Sequence, residues 1–121
     1  MDRGFWVRAW TCACVVALVV LAWTPGQYMM RTGVLSGHQE HFLAYFLSAM
    51  TISAAQARLV FPGWTAAFLV FYAAVLELGQ IYVPGRHPAI GDFLASSVGS
   101  LIGAAMILAA LKLASDWRQQ A

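Results

Sequence analysis

The sequence predicts an all-α fold: an integral membrane bundle of four transmembrane helices, forming one domain over residues 1–121. Three observations carry this. Hydrophobic residues make up 61% of the chain and charged residues only 10%, against about 25% charged in an ordinary soluble domain. Mean hydropathy is +0.71. Four apolar runs, at about 5–24, 41–59, 64–82 and 91–113, are separated by Pro-Gly pairs or polar segments, and about 20 helical residues suffice to cross the roughly 30 Å of bilayer hydrocarbon. The lipid bilayer is therefore the expected partner. A net charge of +2 is too small to suggest a nucleic-acid partner.

The first span carries Trp6, Trp10 and Trp23 near its ends, where indoles favour the membrane interface. Arg3 and Arg8 before an apolar run resemble a signal peptide. The run ends Leu-Ala-Trp-Thr-Pro without a small-x-small cleavage site, so a retained span is expected. Cys12 and Cys14, two apart on a helix, point to different sides and read as small packing residues. Pro25-Gly26 stops the span, and 27–40 is a polar loop with one cation, Arg31.

The second span is rich in Ala and Ser, with Ser48, Thr51, Ser53 and Gln56 available for hydrogen bonds, so it should pack closely on protein. Pro62-Gly63 turns the chain into the third span, whose first half is wholly apolar and whose last turns carry Glu77 and Gln80. Pro84 and Pro88 stiffen the next loop. The fourth span opens on Asp92, favoured there by the helix dipole. It carries small residues every fourth position, Gly91, Ala95, Gly99 and Gly103, a stripe that lets backbones approach. That stripe is expected to pack on spans two and three, and it is also the candidate face for a homo-oligomer. Lys112, Asp116 and Arg118 form a polar tail.

Four spans put both termini on the side of the second loop. Arg3, Arg8, Arg58, Lys112 and Arg118 lie on that side, and Arg31 and Arg86 on the other. Five against two orients the termini to the cytoplasm. The polar residues then converge near the outer surface. His41 and Tyr45 lie one turn apart on span two, Glu77 and Gln80 share a face of span three, Arg86 lies in the outer loop and Asp92 starts span four. Ionisable groups at such positions are usually paired or functional. An ion-paired clasp of Glu77, Arg86 and Asp92 is one reading, and a pocket for a polar or anionic headgroup is the other. In a catalytic version His41 and Glu77 are the catalytic residues moving protons, while Tyr45, Gln80, Arg86 and Asp92 bind the ligand. His38 and His41, with His87 as a loose third, make too weak a set for a metal site, and neither metal nor cofactor is expected. His38 reads as solvated and Arg31 as an interface anchor.

The order His41-Phe42-x-x-Tyr45, Glu77-x-x-Gln80, Pro84-Gly85-Arg86, then Asp92 with Gly99 and Gly103, resembles the VanZ-like family over roughly Leu35 to Gly103. The resemblance implies a small protein of a bacterial cytoplasmic (inner) membrane, in a family named for a link to resistance to the glycopeptide teicoplanin. It implies an outward-facing polar pocket for a lipid-linked or cell-wall-related ligand. The chain departs from the family pattern at Gly37 and His38, where an Asp-Lys pair is common, and at Ser96, where asparagine is common. The alternative from another class is a non-enzymatic scaffold or accessory subunit of a polysaccharide or envelope assembly complex. Four short helices leave little room for an enclosed path, so a channel would need several copies.

Overall fold

The computed structural model describes residues 2–120, so Met1 and Ala121 of the expected domain lie outside the described residues. Four α-helices account for most of them: α1 (Arg3–Trp23), α2 (Gly37–Gln56), α3 (Pro62–Gly79) and α4 (Ile90–Gln120). Single 3₁₀ turns follow α1 and α3, at Gly26–Tyr28 and Gln80–Tyr82. There is no strand among the described residues.

Each helix boundary has a local cause. The Asp2 carboxylate accepts the Phe5 N–H at 2.8 Å and caps α1; Thr24 ends it ahead of Pro25, which disfavours helical backbone in the residue before it. α2 begins at Gly37, four residues before the expected start at 41. A capping box sets that start: Ser36 Oγ accepts from the Gln39 N–H at 3.3 Å, and Gln39 Oε1 accepts from the Ser36 N–H at 2.9 Å. Pro62 occupies the first turn of α3, where its missing N–H costs nothing. α4 runs past the expected 113 through the polar tail, for 31 residues or about 46 Å.

Among the described residues three helical segments are long and apolar enough to cross a membrane: Arg3–Trp23, Pro62–Tyr82 and Ile90–Gln120. α2 is not among them. Its sequence is diluted by serine, threonine, glutamine and histidine, and its position explains why that is tolerated. α2 packs most heavily on α4 and also touches α1 and α3, so Tyr45, Ser48, Ala49, Ile52 and Ser53 are buried in protein. The core joins Leu18 and Ala22 of α1, Tyr45 and Ala49 of α2, and Leu69, Ala73 and Leu76 of α3. The outer faces are apolar: Val16, Leu47, Phe71, Leu101 and Met106 are all exposed.

The small-residue stripe of α4 is consumed inside the chain. A side chain at Gly99 would run into the Phe42 carbonyl, and one at Gly103 would stand 2.5 Å from the Phe46 carbonyl oxygen. At Gly91 it would stand 2.7 Å from the His38 ring. The expected packing of this stripe on span two is present: α2 covers Gly91, Gly99 and Gly103, and the last two are buried. Ser97 and Ser100 return their hydroxyls to their own helix, at Phe93 O (2.8 Å) and Ser96 O (2.9 Å), which lets them pack without leaving a polar group unpaired.

Gly99→Leu and Gly103→Leu are expected to force α2 and α4 apart and abolish the folded protein, and Gly99→Ala to destabilise it by about 1–3 kcal/mol, the usual cost of overpacking. Leu94→Ala, on an exposed position of the same helix, should leave stability nearly unchanged. The measure is the monodisperse peak remaining after heating in detergent. Wild-type behaviour of Gly99→Leu would refute the contact.

Candidate functional site

The antiparallel course of the chain brings five segments to one end of the bundle. They are the last turns of α1, the first turns of α2, the last turn of α3, the 83–89 loop and the first turn of α4. Helix ends carry backbone groups with no partner inside the helix, and side chains from neighbouring segments meet those needs here. Gln80, entering its 3₁₀ turn, turns its N–H to the Glu77 carbonyl. The Trp23 indole donates to the Leu76 carbonyl at 3.0 Å. Gly79 provides the room: a side chain there would stand 2.6 Å from the indole ring.

Arg86 closes the end of α1. Its Nε donates to Thr24 O at 3.0 Å, its Nη2 to Leu21 O at 2.6 Å and its Nη1 to Met29 Sδ at 2.9 Å. A cation over the last carbonyls of a helix also answers the negative end of its dipole. The loop carrying Arg86 is pinned to the loop after α1, because the Gly26 N–H donates to Pro84 O at 3.0 Å. Gly85 meets the Gly26 backbone directly and sits at φ 74°, a left-handed conformation in which other residues are strained. Burial holds the Arg86 guanidinium below its ordinary value, and the neighbouring Arg31 acts in the same direction, while Glu77 and Asp92 oppose them.

Asp92 and Glu77 form the acidic side. His38 Nδ1 donates to Asp92 Oδ1 at 2.5 Å, and His41 Nε2 lies 3.7 Å from Asp92 Oδ2. The other nitrogen of His41 is 3.3 Å from Ser96 Oγ. Thus one carboxylate holds the His38 imidazole by a hydrogen bond and stands near the His41 ring a turn further along α2. Glu77 is buried and accepts the Ala89 N–H at 2.7 Å, fastening the loop to α3. Glu40 accepts from the Thr32 N–H at 2.9 Å and its hydroxyl at 2.8 Å. Those two bonds, the backbone one first, hold its carboxyl below the ordinary value.

A cavity of about 110 Å³ lies among these groups. Five of the six residues singled out from the sequence line it: His41, Tyr45, Glu77, Arg86 and Asp92. Gln80 does not; it is buried, and its Nε2 has no partner. The expected ion-paired clasp takes a different form. Among the described residues the side-chain bases within ion-pair distance of a carboxylate are His38 and His41, both at Asp92, and Arg86 serves α1 carbonyls, because those acceptors are otherwise unpaired. His38, read as solvated, is exposed and also bonds Asp92, and Arg31, read as an interface anchor, is exposed and lines the cavity with Glu40. The sequence signal for His38 is the Ser36-x-x-Gln39 box, which sets it in the first turn of α2. Among the described residues no three His, Cys, Asp or Glu side chains gather as metal ligands.

Chemically, the cavity offers an imidazole beside a carboxylate, a buried carboxyl, two guanidinium groups and a phenol. This set can bind a polar headgroup, and His41 with Asp92 can hold a proton. The Glu40 contact yields a pH prediction. A carboxyl lowered on folding contributes stability above its unfolded value, and that contribution is lost as pH falls through the lower folded value. Acidification below the ordinary Glu range is expected to free the 29–36 segment, read as faster amide exchange at Thr32 and Leu35. Glu40→Gln should show no such acid-dependent step; an unchanged step would refute the assignment. Comparison with family models, with curated proteins and with solved structures found no match.

Proposed function

We propose that the chain is a VanZ-like protein of a bacterial cytoplasmic membrane, crossing it four times with both termini in the cytoplasm, and that its outward-facing cavity binds a lipid-linked or cell-wall-related ligand. The single observation that carries the reading is the lining of one cavity by His41, Tyr45, Glu77, Arg86 and Asp92, drawn from three helices and a loop. In this reading α2, although too polar to be recognised as a span by itself, crosses with its polar face packed on the other helices and Leu43 and Leu47 turned outward. Tyr45, Arg86 and Asp92 contact the ligand. His41 and Glu77 are the residues that would move a proton if the ligand is transformed, by hydrolysis or transfer at a phosphate or glycosidic linkage. A link to glycopeptide resistance follows from the family resemblance alone.

A second reading is favoured by the Arg86 contacts. Its three bonds to α1 and Met29 are a structural fastening, which suits a non-enzymatic scaffold or accessory subunit of an envelope assembly complex. The two readings separate in one experiment. Lipids extracted from the purified protein are identified by mass spectrometry for wild type, Ala44→Phe and Glu77→Gln. Ala44 lines the cavity and is half-buried, so a ring there takes up its space. A binding site predicts one co-purifying lipid-linked species, depleted in both variants at unchanged monodisperse yield. Equal lipid content in all three proteins leaves the scaffold. The orientation is checked by single cysteines in a Cys12→Ala, Cys14→Ala background: a membrane-impermeant thiol reagent on intact cells should label Ser36→Cys and spare Ser115→Cys. The reverse pattern would invert the topology.

A further inference from the structure

The charges that line the cavity are unevenly satisfied. Each of its three carboxylates has a donor: Glu40 has Thr32, Glu77 has the Ala89 N–H, and Asp92 has His38. Neither arginine is in ion-pair contact with these acids, although Glu40 lies near Arg31, and Glu77 and Asp92 near Arg86. Arg31 lines the cavity and donates no hydrogen bond among the described residues, and it sits close enough to Arg86 to act on its charge. Of the five N–H groups of a guanidinium, Arg86 uses three, on Thr24, Leu21 and Met29, which leaves two. Tyr45 is the independent observation. Its side chain is 4% exposed and lines the cavity, yet its hydroxyl has no hydrogen-bond partner among the described residues. A phenol so placed ordinarily finds a partner in protein or in whatever fills the cavity.

One arginine without a hydrogen-bond partner, a second with two N–H groups to spare and one unbonded hydroxyl on a single cavity suit an oxyanion. Planar guanidinium forks match phosphate oxygens in pairs, and like charges held near one another are relieved by an anion between them. The wall beside them is apolar in a particular way. Val20 and Leu21 line the cavity while remaining 55% and 48% exposed, on a helix that crosses the hydrocarbon in the proposed topology. Polar groups at the mouth and an apolar, outward-open flank are the two halves of an amphiphile's environment.

We infer that Arg31, Arg86 and Tyr45 form a binding site for a phosphate-class headgroup, whose hydrocarbon chain leaves the cavity sideways over Val20 and Leu21. The inference rests on the cavity being a ligand site, as proposed above, and adds the ligand's chemistry, the role of Arg31 and the lateral path. A phosphate headgroup could come from a lipid or from water, and the flank favours the lipid.

The test uses purified protein in detergent micelles and native mass spectrometry. The probes are dioleoyl phosphatidic acid, dioleoylglycerol as the same chains without phosphate, and inorganic phosphate as competitor. Phosphatidic acid should be retained and dioleoylglycerol not. Arg31→Ala should weaken retention about tenfold, near the lower end of what a charged hydrogen-bonding partner contributes, and Arg31→Lys should recover part of it. Val20→Trp should weaken phosphatidic acid binding alone. If inorganic phosphate displaces the lipid completely and Val20→Trp has no effect, the lateral path is overturned and the site takes a free anion. If Arg31→Ala retains phosphatidic acid as wild type does, while Ala44→Phe loses it, the arginine site is overturned and the cavity reading stands. If wild type retains no lipid and Ala44→Phe changes nothing, both fail.

Discussion

The approach of α2 and α4 without intervening side chains is the constraint on which the rest of the structure depends. Gly99 and Gly103 let the Phe42 and Phe46 carbonyls of α2 come down onto α4. Once those two backbones touch, the register between the helices has little freedom, since each glycine accepts one turn of the neighbour and the intervening positions do not. The same register carries to the start of α4, where Gly91 admits the His38 ring. Asp92 then lies beside His38 and His41, and Ser96 beside His41. The ionic contacts at the mouth are thus a consequence of small residues about two to three helical turns deeper. In a membrane, helices gain nothing from leaving lipid for protein on hydrophobic grounds alone, so close packing and hydrogen bonds decide their association.

α1 is held differently. Its packing on α2 and α3 is lighter than that between α2 and α4, and it is fastened by hydrogen bonds at successive depths. Gln56 reaches Thr11 Oγ1 at 2.8 Å, the Tyr72 hydroxyl reaches Val15 O at 2.8 Å, Trp23 reaches Leu76 O, and Arg86 reaches Leu21 O and Thr24 O. Most of these bonds pair a side chain with a backbone carbonyl. A helix fastened at points, rather than along a continuous seam, leaves space beside it. The cavity occupies that space near the end of α1, and its flank at Val20 and Leu21 is open for the same reason. The fold and the site share a cause, since the groups that tie α1 down at this end also furnish the cavity wall.

Much of the candidate site is legible in the sequence. An ionisable residue in an apolar run is costly enough to be noticed singly, and the antiparallel order of the runs places 41–45, 77–80, 86 and 92 at one end whatever the details of packing. Gln80 marks the limit of that reasoning: it lies three residues from Glu77 and is buried, yet it stands outside the cavity. Arg86 marks another. Charge counting pairs a cation with the nearest acids, but the unpaired carbonyls at the end of α1 are equally good acceptors, and their position is invisible until the loop is folded across them. His38 and Arg31 are exposed, as a linear reading has them, and only the fold shows that one also bonds Asp92 and that the other lines the cavity.

What the sequence determined by itself was the all-helical, membrane-compatible character of the chain, the approximate limits of its helices and the end at which the polar residues gather. These follow from hydropathy, from proline and glycine as breakers, and from the rise per residue, all local properties. Only the tertiary structure decided which faces meet. It assigned α4's stripe to α2, Arg86 to the carbonyls of α1, and Asp92 to two histidines. It also set the polar side chains of α2, Tyr45, Ser48 and Ser53, against protein while Leu43 and Leu47 of the same helix face outward. Those choices depend on which atoms come within a few ångströms of each other across long stretches of chain, and no local property of the sequence encodes such a distance.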